Sequence, residues 1–542
     1  MLILHNSEAM PTQGQLLRAH ARLHANRLFA VIDDEEVRYS EFGAQAEGLA
    51  RGMLADGLKP GDHVGILMPN CIDFLLVYYA AQLVGAVAIP INARYKSAEL
   101  AHAIRHADIR ILFTTDRIND HVNFGDLLFE TLPSLEAATH FGSLALGEAP
   151  ALTTIVLFGA ERAPFRTPAA LVKAGLSVSS ATLDEAVDHG GVDDIALILF
   201  TSGTTAMPKA CRLSHRNLYQ NWVIAYPQIV GLEVDQGIWC PLPCFHIGGV
   251  GLALAALSRG ACFLSSIHHQ PGKALDFIRR HRPHHLYPGF FTLLMPMLRD
   301  PGYNRSHLDS VVSIWMVAPF ETHKQMREFY PAGIAVHQNF GMTEGAGMVT
   351  MTRPSMPEDE RLLANGMALP GCEVRIADAE SDGSLPDGQE GEIQFRGPNA
   401  FRDYYKDEPA SRAARAPGGW VKTGDWGRLD DTGVLSFRGR MKDMLKVGGE
   451  NVAAAEIEAF LGRHPAVNLA QVVARADDHY GEVPVAFVEL REGTVADERE
   501  LIEFCKARLA SFKAPRQIVF VTEWPMSATK VQKFRLREMF SI

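Results

Sequence analysis

The sequence predicts an α/β protein with a large N-terminal domain of parallel-rich α/β sheets that includes a small β-rich subdomain, followed by a small α+β C-terminal domain. Three observations predict this fold class. Strand and helix patterns alternate over 37–114, short strands and turns dominate over about 371–439, and a compact α+β pattern follows Arg440. Because 542 residues exceed what one hydrophobic core supports, we place the two domains at 1–439 and 440–542.

The N-terminal alternation predicts strands separated by amphipathic helices. Ser40 is the expected cap of one helix, and Ser97 opens another. The predicted strands are 37-VRY-39, 64-VGILM-68, 87-VAIPI-91 and 110-RILFTT-115, with a helix from about Cys71 to Leu83. Because an intervening helix returns the chain to the same end of the sheet, this alternation predicts parallel pairing.

A strongly apolar run, 195-IALILF-200, follows a less regular stretch over 120–190. Continuous apolar residues are typical of a central strand that is covered on both faces. The strand leads into 201-TSGTTAMPKACRLSH-215. Since ligands of open α/β sheets bind beyond the carboxyl ends of the strands, this loop lies where a site is expected.

The loop combines hydroxyls, a glycine, a proline and Lys209. Hydroxyls and free backbone amides can face phosphate oxygens while a lysine neutralises their charge, so the composition fits a polyanion. The loop lacks the GK[ST] ending of a Walker loop. Taken alone, it is also compatible with a Ser/Thr-rich surface turn.

Two further patterned regions complete the chain. The β-rich region has predicted strands at 373–378, 391–397 and 434–440, divided by Pro-Asp-Gly and Asp-Thr-Gly turns. The last module has a predicted helix from Ala454 to Leu461, strands near 469–474 and 484–490, and a helix near 498–510. The basic, polar segment 438-RGRMKD-443 is the expected linker between them.

The composition favours a soluble small-molecule enzyme. A net charge of −11 and a pI near 6.0 argue against nucleic-acid and anionic-membrane partners, which reward clustered lysine and arginine. The seven scattered cysteines disfavour a disulfide framework and a zinc site. The longest apolar candidate, 247-IGGVGLALAAL-257, is too short to span a membrane, and the N-terminus does not resemble a signal peptide. We therefore expect a cytoplasmic protein.

Several unusual segments recur in a characteristic order along the chain. After the loop at 201 come 241-PLPCFHIGG-249, 318-AP-319, 340-FGMTEG-345, 420-WVKTGD-425, 438-RGRMKD-443, 446-KVGGENV-452 and 525-PMSATKVQK-533. Together they resemble the ANL superfamily of adenylate-forming enzymes and, within it, the AMP-forming acyl-CoA synthetases. The resemblance extends from about residue 60 to Lys533. Any one of these motifs is weak, whereas their shared order is specific.

The resemblance implies an ATP-dependent carboxylic acid–CoA ligase. Such an enzyme converts a carboxylate into an acyl adenylate with release of pyrophosphate, and the thiol of CoA then displaces AMP. ATP, Mg²⁺ and CoA are the implied cofactor and co-substrates. Since the first step brings a carboxylate to an anionic phosphate, catalysis requires positive charge, oriented amides and a metal ion, without a nucleophilic side chain.

Most of the implied nucleotide site lies in three motifs. The β- and γ-phosphates would be held by Thr201, Ser202, Gly203, Thr204, Thr205 and Lys209, although Ala206 and Ala210 stand where the family often has glycine. We expect these alanines to restrict the motion of the loop. Phe340 would stack on adenine, Thr343 would contact the α-phosphate and Glu344 would bind Mg²⁺. Asp425 would accept the ribose hydroxyls, with Arg440 beside it. The remaining nucleotide residues would be Ala318, Pro319, Gly341 and Met342. Without its context, FGMTEG is equally a turn that caps a strand.

Lys530 resembles the lysine that bridges the carboxylate and the α-phosphate during adenylation. The family has glycine immediately before it, whereas this chain has Thr529 and one residue fewer. A solvated lysine is the alternative. Lys442 matches the hinge about which the C-terminal domain rotates, and the CoA tunnel would be lined by Lys446, Gly448 and Gly449.

The resemblance places His246 at the mouth of the acyl pocket, near the reacting carboxylate. The alternative is that His246 is a histidine of the core. Other expected lining residues are Trp239, Met316, Val317 and Gly341. Because Met316 and Val317 replace small residues of relatives, we expect a small, medium-length or compact acid. A clear preference for long-chain fatty acids would contradict this.

Two alternatives to CoA ligation remain open. One is a stand-alone adenylating ligase that loads a carrier protein, and the other is a catalytically impaired nucleotide-binding relative. The expected partners are a small-molecule carboxylic acid, ATP and CoA, with no nucleic acid and no membrane span. A homodimer is compatible with the sequence.

Overall fold

A computed structural model describes residues 10–118, 120–138, 144–201, 207–447, 450–477, 479–527 and 530–539. For Lys530 the description covers the backbone alone. The first thirteen strands in chain order are β1 (Leu28–Ile32), β2 (Glu35–Arg38), β3 (His63–Leu67), β4 (Val87–Pro90), β5 (Ile111–Thr115), β6 (Thr154–Phe158), β7 (Ile195–Thr201), β8 (Lys209–Ser214), β9 (Gly237–Trp239), β10 (Cys262–Ser265), β11 (His285–Phe290), β12 (Ser313–Val317) and β13 (Ala335–His337).

The later strands belong to the antiparallel region and the C-terminal module. They are β14 (Asn339–Phe340), β15 (Thr350–Met351), β16 (Gly366–Ala368), β17 (Glu373–Ala377), β18 (Glu390–Arg396), β19 (Arg415–Ala416), β20 (Trp420–Leu429), β21 (Val434–Arg440), β22 (Met444–Val447), β23 (Glu450–Ala453), β24 (Val467–Asp477), β25 (Gly481–Leu490), β26 (Gln517–Phe520), β27 (Met526–Ser527) and β28 (Lys530–Val531).

The α-helices fall mostly between the strands of the N-terminal sheets. They are α1 (Gln13–Leu23), α2 (Tyr39–Ala55), α3 (Ile72–Leu83), α4 (Ser97–His106), α5 (Phe124–Thr131), α6 (Pro168–Gly175), α7 (Ser180–His189), α8 (His215–Leu218), α9 (Tyr226–Val230), α10 (Ile247–Arg259), α11 (Pro271–His281), α12 (Phe291–Leu298), α13 (Phe320–Arg327), α14 (Glu358–Leu363), α15 (Glu408–Ala413), α16 (Ala454–Leu461), α17 (Glu498–Lys506) and α18 (Lys533–Glu538). A π-helical segment spans Tyr219–Ala225, and 3₁₀ turns span Thr343–Gly345 and Met441–Asp443, among others.

The first sheet has the strand order β6-β5-β3-β4-β7-β8 and is parallel up to β7. Strand β8 runs antiparallel to β7 at the edge. The apolar run predicted as a central strand is therefore next to the edge. The reason is the short connection from β7 to β8. A parallel crossover needs a dozen or more residues, and the stretch between Thr201 and Lys209 is shorter than that, so β8 can only return antiparallel.

The second sheet has the order β13-β12-β11-β9-β10-β1-β2 and is parallel except for the β1–β2 hairpin. Helix α2 begins at Tyr39 after the cap residue Arg38, so the expected cap at Ser40 is wrong by two residues. The Ser40 hydroxyl instead donates to the Ala25 carbonyl at 2.8 Å. Helix α3 is apolar all round and buried, as expected of a helix in the core.

The third sheet is antiparallel, with the order β14-β15-β16-β21-β20-β18-β17 and β19 paired to β20. This sheet begins at Asn339, upstream of the predicted β-rich region. The FGMTE motif therefore starts in its edge strand, β14, and continues into the turn that follows. The expected linker 438–443 is replaced by the end of β21 and a 3₁₀ turn. The reason is that β21 pairs with β20 as far as Arg440, opposite Asp425.

The C-terminal module has a sheet of order β23-β22-β25-β24, with β26 parallel to β25. Helices α16 and α17 cover it, and Leu445, Ile457, Val472 and Leu501 lie in its own hydrophobic core. Helix α17 ends at Lys506, earlier than predicted. Lys530 begins β28, which pairs antiparallel with β27.

Candidate active site

Strands β7 and β8, which flank the loop 201–209, pair antiparallel. Strand β7 ends at Thr201 and β8 begins at Lys209, and these residues pair across the hairpin. The Thr201 hydroxyl donates to the Lys209 carbonyl oxygen at 3.4 Å. The pairing places Lys209 at the base of the loop. Five residues of this segment lie outside the described part of the chain, namely Ser202, Gly203, Thr204, Thr205 and Ala206.

Ala210 has a different setting from the one we expected. It pairs with Phe200 inside β8, and its side chain is buried in a hydrophobic core. Its backbone is therefore extended, a conformation that any residue adopts. The expectation that Ala210 restricts the loop is corrected, whereas the same expectation for Ala206 stays a prediction.

Tyr404 connects the loop lysine to the FGMTE motif. Its hydroxyl donates to Glu344 Oε1 at 2.7 Å, and the Lys209 ammonium lies 5.1 Å from the centroid of its ring. Glu344 and Tyr404 are both buried. Burial, together with the Glu344 charge, raises the pKa of Tyr404 well above its usual value, so the phenol stays a donor at neutral pH.

The two ends of the turn after β14, Gly341 and Gly347, lie in close contact. Gly341 has no room for a side chain, because a Cβ there would lie 2.1 Å from the Gly347 carbonyl oxygen. The Met342 carbonyl accepts from the Gly345 amide at 3.0 Å and from the Gly347 amide at 2.9 Å. Thr343 and Glu344 thus sit on a tight 3₁₀ turn with a fixed backbone.

The π-helical segment holds this turn from the other side. The Trp222 indole N–H donates to the Ala346 carbonyl oxygen at 2.9 Å. Asn221 Nδ2 lies 2.7–3.0 Å from three carbonyl oxygens of the turn, those of Gly345, Ala346 and Met348. These contacts fix the turn to the π-helical segment, a geometry that is rare overall and often found near functional sites.

Aromatic and charged residues lie beyond the turn on the antiparallel sheet. The ring of Phe340 stacks on Phe437, with centroids 5.8 Å apart and an interplanar angle of 27°. Asp425 is 2% exposed and forms an ion pair with Arg440, whose Nε lies 2.8 Å from Oδ1. The Asp425 amide also donates to the Thr423 hydroxyl at 3.0 Å. Phe437 and Asp425 thus lie in the neighbouring strands β21 and β20, and Phe340 of the edge strand β14 stacks on Phe437.

A cavity of about 180 Å³ separates this region from the C-terminal module. Its lining includes Phe437 and Arg440 on one side and Met444, Glu458 and Lys533 on the other. Glu458 Oε1 and Lys533 Nζ form an ion pair at 2.5 Å, and each side chain is 16% exposed. The junction is thus bordered by charges.

Ala318 and Pro319 follow the end of β12. The Ala318 amide donates to Gln338 Oε1 at 3.4 Å, and Pro319 is the cap residue of α13. Gln338 in turn donates to the Leu362 carbonyl at 2.5 Å. The Ala-Pro motif is therefore fixed to Gln338, which lies between β13 and β14 just before the FGMTE turn.

The residues expected around the acyl pocket do not lie together. His246 is half-buried at the N-terminus of α10, with its ring 4.8 Å from that of Phe245. Trp239 and Met316 instead pack in the outer core with helices α11 to α13. Their assignment to the pocket is corrected, because alternate residues of a strand face opposite sides of the sheet. Val317 is 38% exposed at the strand end.

The opposite face of the same strands carries an aromatic cluster that sequence reasoning missed. Its members are fully or almost fully buried, with ring centroids 4.0–6.3 Å apart: Trp222, Tyr226, Tyr287 and Trp315. A Cβ on Gly347 would lie 2.9 Å from Trp222 Cζ2 and 3.1 Å from Ile247. Trp222 therefore lies directly behind the FGMTE turn and the start of α10. The period-two pattern of β12 could have identified Trp315.

The hinge segment is attached to the last helix. Arg537 Nη2 lies 3.4 Å from the Lys442 carbonyl oxygen and 2.6 Å from Asp443 Oδ1. Lys446 is exposed, and its amide donates to Glu482 at 2.7 Å. Gly448 and Gly449 lie outside the described residues, as does Thr529. The backbone of Lys530 pairs with Ser527.

The donor set fits a nucleotide-bound magnesium ion. In the described parts of the chain, no group of three or more His, Cys, Asp or Glu side chains is arranged to hold a metal by itself. Mg²⁺ at such sites takes one or two carboxylates and completes its shell with phosphate oxygens and water. Tyr404 engages one Glu344 oxygen, so the other can meet the ion.

Along the described ranges, every helix is too short or too polar to cross a lipid bilayer.

Comparison with known proteins matches both parts of the chain. Residues 17–405 match the AMP-binding enzyme family, and residues 456–530 match the AMP-binding enzyme C-terminal domain. YngI of Bacillus subtilis (strain 168), which is named as an acyl-CoA synthetase, is 31% identical over 97% of this chain and 96% of its own. The mitochondrial medium-chain acyl-CoA ligase ACSF2 of Danio rerio is 29% identical, over 99% and 90% of the two chains.

A solved structure supports the same grouping. The crystal structure of ATP-bound MatB from Rhodopseudomonas palustris superposes with a TM-score of 0.81 at 26% identity, covering 97% of this chain and 99% of that one. The α/β sheets, the antiparallel sheet and the C-terminal module are therefore those of adenylate-forming enzymes. The chain belongs to the AMP-binding enzymes of the ANL superfamily and is an AMP-forming acyl-CoA synthetase.

Proposed function

We propose that this site joins a carboxylic acid to CoA through an acyl adenylate, with the residue roles that the family order implies. One observation carries this assignment. The loop lysine, Lys209, and the turn carboxylate, Glu344, come from segments over a hundred residues apart, yet both contact Tyr404. A cation and an anion held this way fit a nucleotide phosphate chain together with its metal ion.

In the first step, a carboxylate oxygen of the acid attacks the α-phosphorus of ATP, and the bond to pyrophosphate breaks. Thr343 donates to the α-phosphate, Lys209 faces the leaving phosphates, and Lys530 bridges the carboxylate and the α-phosphate. Mg²⁺, when bound by Glu344, neutralises phosphate charge. Positioning and charge supply the catalysis, because the transferred group needs no covalent bond to the protein.

The nucleoside would lie along the antiparallel sheet. Phe340, itself supported by Phe437, offers a flat apolar face to adenine. Asp425 is held by its backbone and offers carboxylate oxygens to the ribose hydroxyls, with Arg440 beside it. The Ala318-Pro319 segment and the backbone of Gly341 and Met342 complete the pocket.

In the second step, the CoA thiol releases its proton to solvent, its sulfur attacks the acyl carbon, and AMP leaves with the electron pair of the broken carbon–oxygen bond. We propose that rotation at Lys442 moves Lys530 away and brings 446–451 to the site, where Lys446, Gly448 and Gly449 line the path of the thiol. The domain boundary near residue 440 remains part of this proposal. Rotation between half-reactions separates two sets of catalytic groups that could not share one site.

We propose a small, medium-length or compact acid as the substrate. His246 would lie at the mouth of the acyl pocket, with Gly341 beside it. Support comes from Trp222, whose ring would lie 2.9 Å from a Cβ on Gly347, rather than from Met316, which packs in the outer core. An acyl chain that passes His246 and Gly341 meets this rigid aromatic cluster, so its length is limited.

The test is a panel of carboxylic acids, from acetate to long-chain fatty acids and including aromatic acids, with ATP, Mg²⁺ and either CoA or carrier proteins. Mass spectrometry of the thioesters identifies both the acid and the acceptor. We expect CoA thioesters of short, medium or compact acids, formed with equal amounts of AMP. Preference for long chains would refute the substrate class, and transfer to a carrier protein alone would refute the acceptor.

Location and assembly are further proposals. We expect a cytoplasmic enzyme, since the chain is acidic and its cysteines are scattered. Fractionation of the source cells tests this, and light scattering of the purified protein tests the homodimer.

A further inference from the structure

The segment that carries Tyr404 is fixed by its backbone to both predicted phosphate elements. The Phe401 amide donates to the Glu344 carbonyl at 2.8 Å, which joins the segment to the FGMTE turn. The Tyr405 amide donates to the Ala210 carbonyl at 2.8 Å, which joins it to strand β8 immediately after Lys209. The segment therefore spans the gap between the loop hairpin and the turn.

An ion pair strengthens this attachment. Arg212 of β8 contacts Asp403 through two hydrogen bonds of 2.5 Å each, and the Arg212 amide donates to the Asp403 carbonyl at 3.0 Å. Paired guanidinium–carboxylate bonds fix orientation as well as distance. Tyr404, the next residue, is 9% exposed and points between Glu344 and Lys209.

We propose that Tyr404 is a positioning residue that couples the metal-binding carboxylate of Glu344 to the loop lysine Lys209. The inference rests on the proposed function, since it assigns both partners to ATP. Its hydroxyl fixes one carboxylate oxygen and so directs the other toward the metal. Its ring face limits where the Lys209 ammonium can lie, which aligns the lysine with the leaving phosphates.

A tyrosine suits both contacts. A carboxylate in this place would repel Glu344, and a lysine would compete with Lys209 for the phosphates. The phenol donates a hydrogen bond without carrying charge, while its π face attracts the ammonium. The two contacts use different parts of one side chain, so they can be separated by mutation.

The experiment compares Tyr404→Phe, Tyr404→Leu and the control Tyr405→Phe. The neighbouring Tyr405 has a similar setting, with its hydroxyl 2.7 Å from Asp108 and its ring near Arg212, but it contacts neither Glu344 nor Lys209 in the described structure. Two quantities are measured for each variant. They are the Mg²⁺ dependence of acid-driven pyrophosphate release, and the ATP dissociation constant by calorimetry in EDTA.

For Tyr404→Phe we expect the Mg²⁺ concentration at half-maximal rate to rise about tenfold, with ATP affinity in EDTA within about twofold of wild type. For Tyr404→Leu we expect the same change and about threefold weaker ATP binding in EDTA, because the ring face is lost. Tyr405→Phe should match wild type in both measurements. Thermal melts confirm folding, and the Phe variant keeps the packed ring.

A Tyr404→Phe variant with wild-type Mg²⁺ dependence would overturn the role at Glu344. Equal ATP affinities for the Phe and Leu variants would overturn the role at Lys209, and Tyr405→Phe that matches Tyr404→Phe would overturn the specificity of the contact. Failure of the proposed function is distinguishable: the wild type would then bind ATP yet release no pyrophosphate with any acid, while the calorimetry would still test the Lys209 contact.

Discussion

The turn 340–348 and the hinge 440–443 both carry predicted site residues, yet the fold holds them differently. The turn is buried and cross-linked by Asn221, Trp222 and Tyr404. The hinge follows the end of β21, and its contacts to the last helix are ionic, through Arg537. The difference teaches that buried hydrogen bonds fix the turn that carries the predicted adenylation residues, whereas an ion pair ties the predicted hinge to the last helix.

Charged contacts suit the proposed rotation of the C-terminal module. An exposed ion pair contributes about 0–1 kcal/mol, so several can be replaced during a rotation at little cost. Buried hydrogen bonds are different, since each unsatisfied polar group costs about 1–3 kcal/mol. The following predictions test this contrast between the two regions, beginning with the largest expected effect.

Replacing Lys530 with alanine should slow adenylation about 100- to 1000-fold, since a charge that stabilises the transition state is removed. Thioester formation from a supplied acyl adenylate should change less than about threefold. Pyrophosphate release and CoA thioester formation, followed separately, measure the two steps. The control is Lys506→Ala, an exposed lysine of the same module. Equal loss of both steps would contradict the separation of roles.

Replacing Asn221 with alanine should lower the free energy of unfolding by about 2–4 kcal/mol and slow adenylation about tenfold, because carbonyls of the turn lose their donor. Denaturant unfolding and pyrophosphate release measure the two effects. Gln220→Ala, in the same π-helical segment, removes a hydrogen bond to the Pro370 carbonyl and leaves the turn intact. If Gln220→Ala slowed adenylation equally, the turn would not be the reason.

Replacing Trp222 with leucine should lengthen the preferred acid by about three carbons, because the removed ring opens space behind Gly347. It should also slow adenylation of every acid, because the Ala346 carbonyl loses a donor. Rates across a series of straight-chain acids measure this change. Trp239→Leu is the matched control, since Trp239 packs in the outer core and should lose stability without a change of preference. A length preference that changes in Trp239→Leu instead would restore Trp239 to the pocket.

Replacing Arg537 with alanine should have the smallest effect. It removes the contacts to Asp443 and to the Lys442 carbonyl, and we expect a change of about two- to fivefold in the thioester step with adenylation unaffected. Stopped-flow measurement of each half-reaction checks this, with Arg535→Ala as the control. A slower adenylation step in Arg537→Ala would show that the hinge acts in both steps.

The sequence predicted the fold class because strand and helix periods are local properties. The ordered motifs likewise predicted the family, and the Lys209 and Glu344 segments do converge in the structure. Predicted elements failed mainly at their ends and edges. The Ser40 cap is one example, and the position of β7 beside an antiparallel edge is another.

Side-chain direction was harder to predict. Trp239 and Met316 lie in the right strands but face the outer core, and Trp315, one residue from Met316, faces inward. A one-residue difference in a strand reverses the face, so motif proximity could not decide it. Tyr404 was missed because its contacts reach residues far away in the sequence, and no local pattern marks such a contact.

The most direct test of the central claim uses a substrate acid labelled with ¹⁸O in both carboxylate oxygens. Mass spectrometry of the nucleotide product then shows which bond forms. An acyl adenylate built in the N-terminal site predicts one ¹⁸O atom in each AMP, none in pyrophosphate, and one in the CoA thioester. Unlabelled AMP, or label in released phosphate with ADP as the product, would contradict the account.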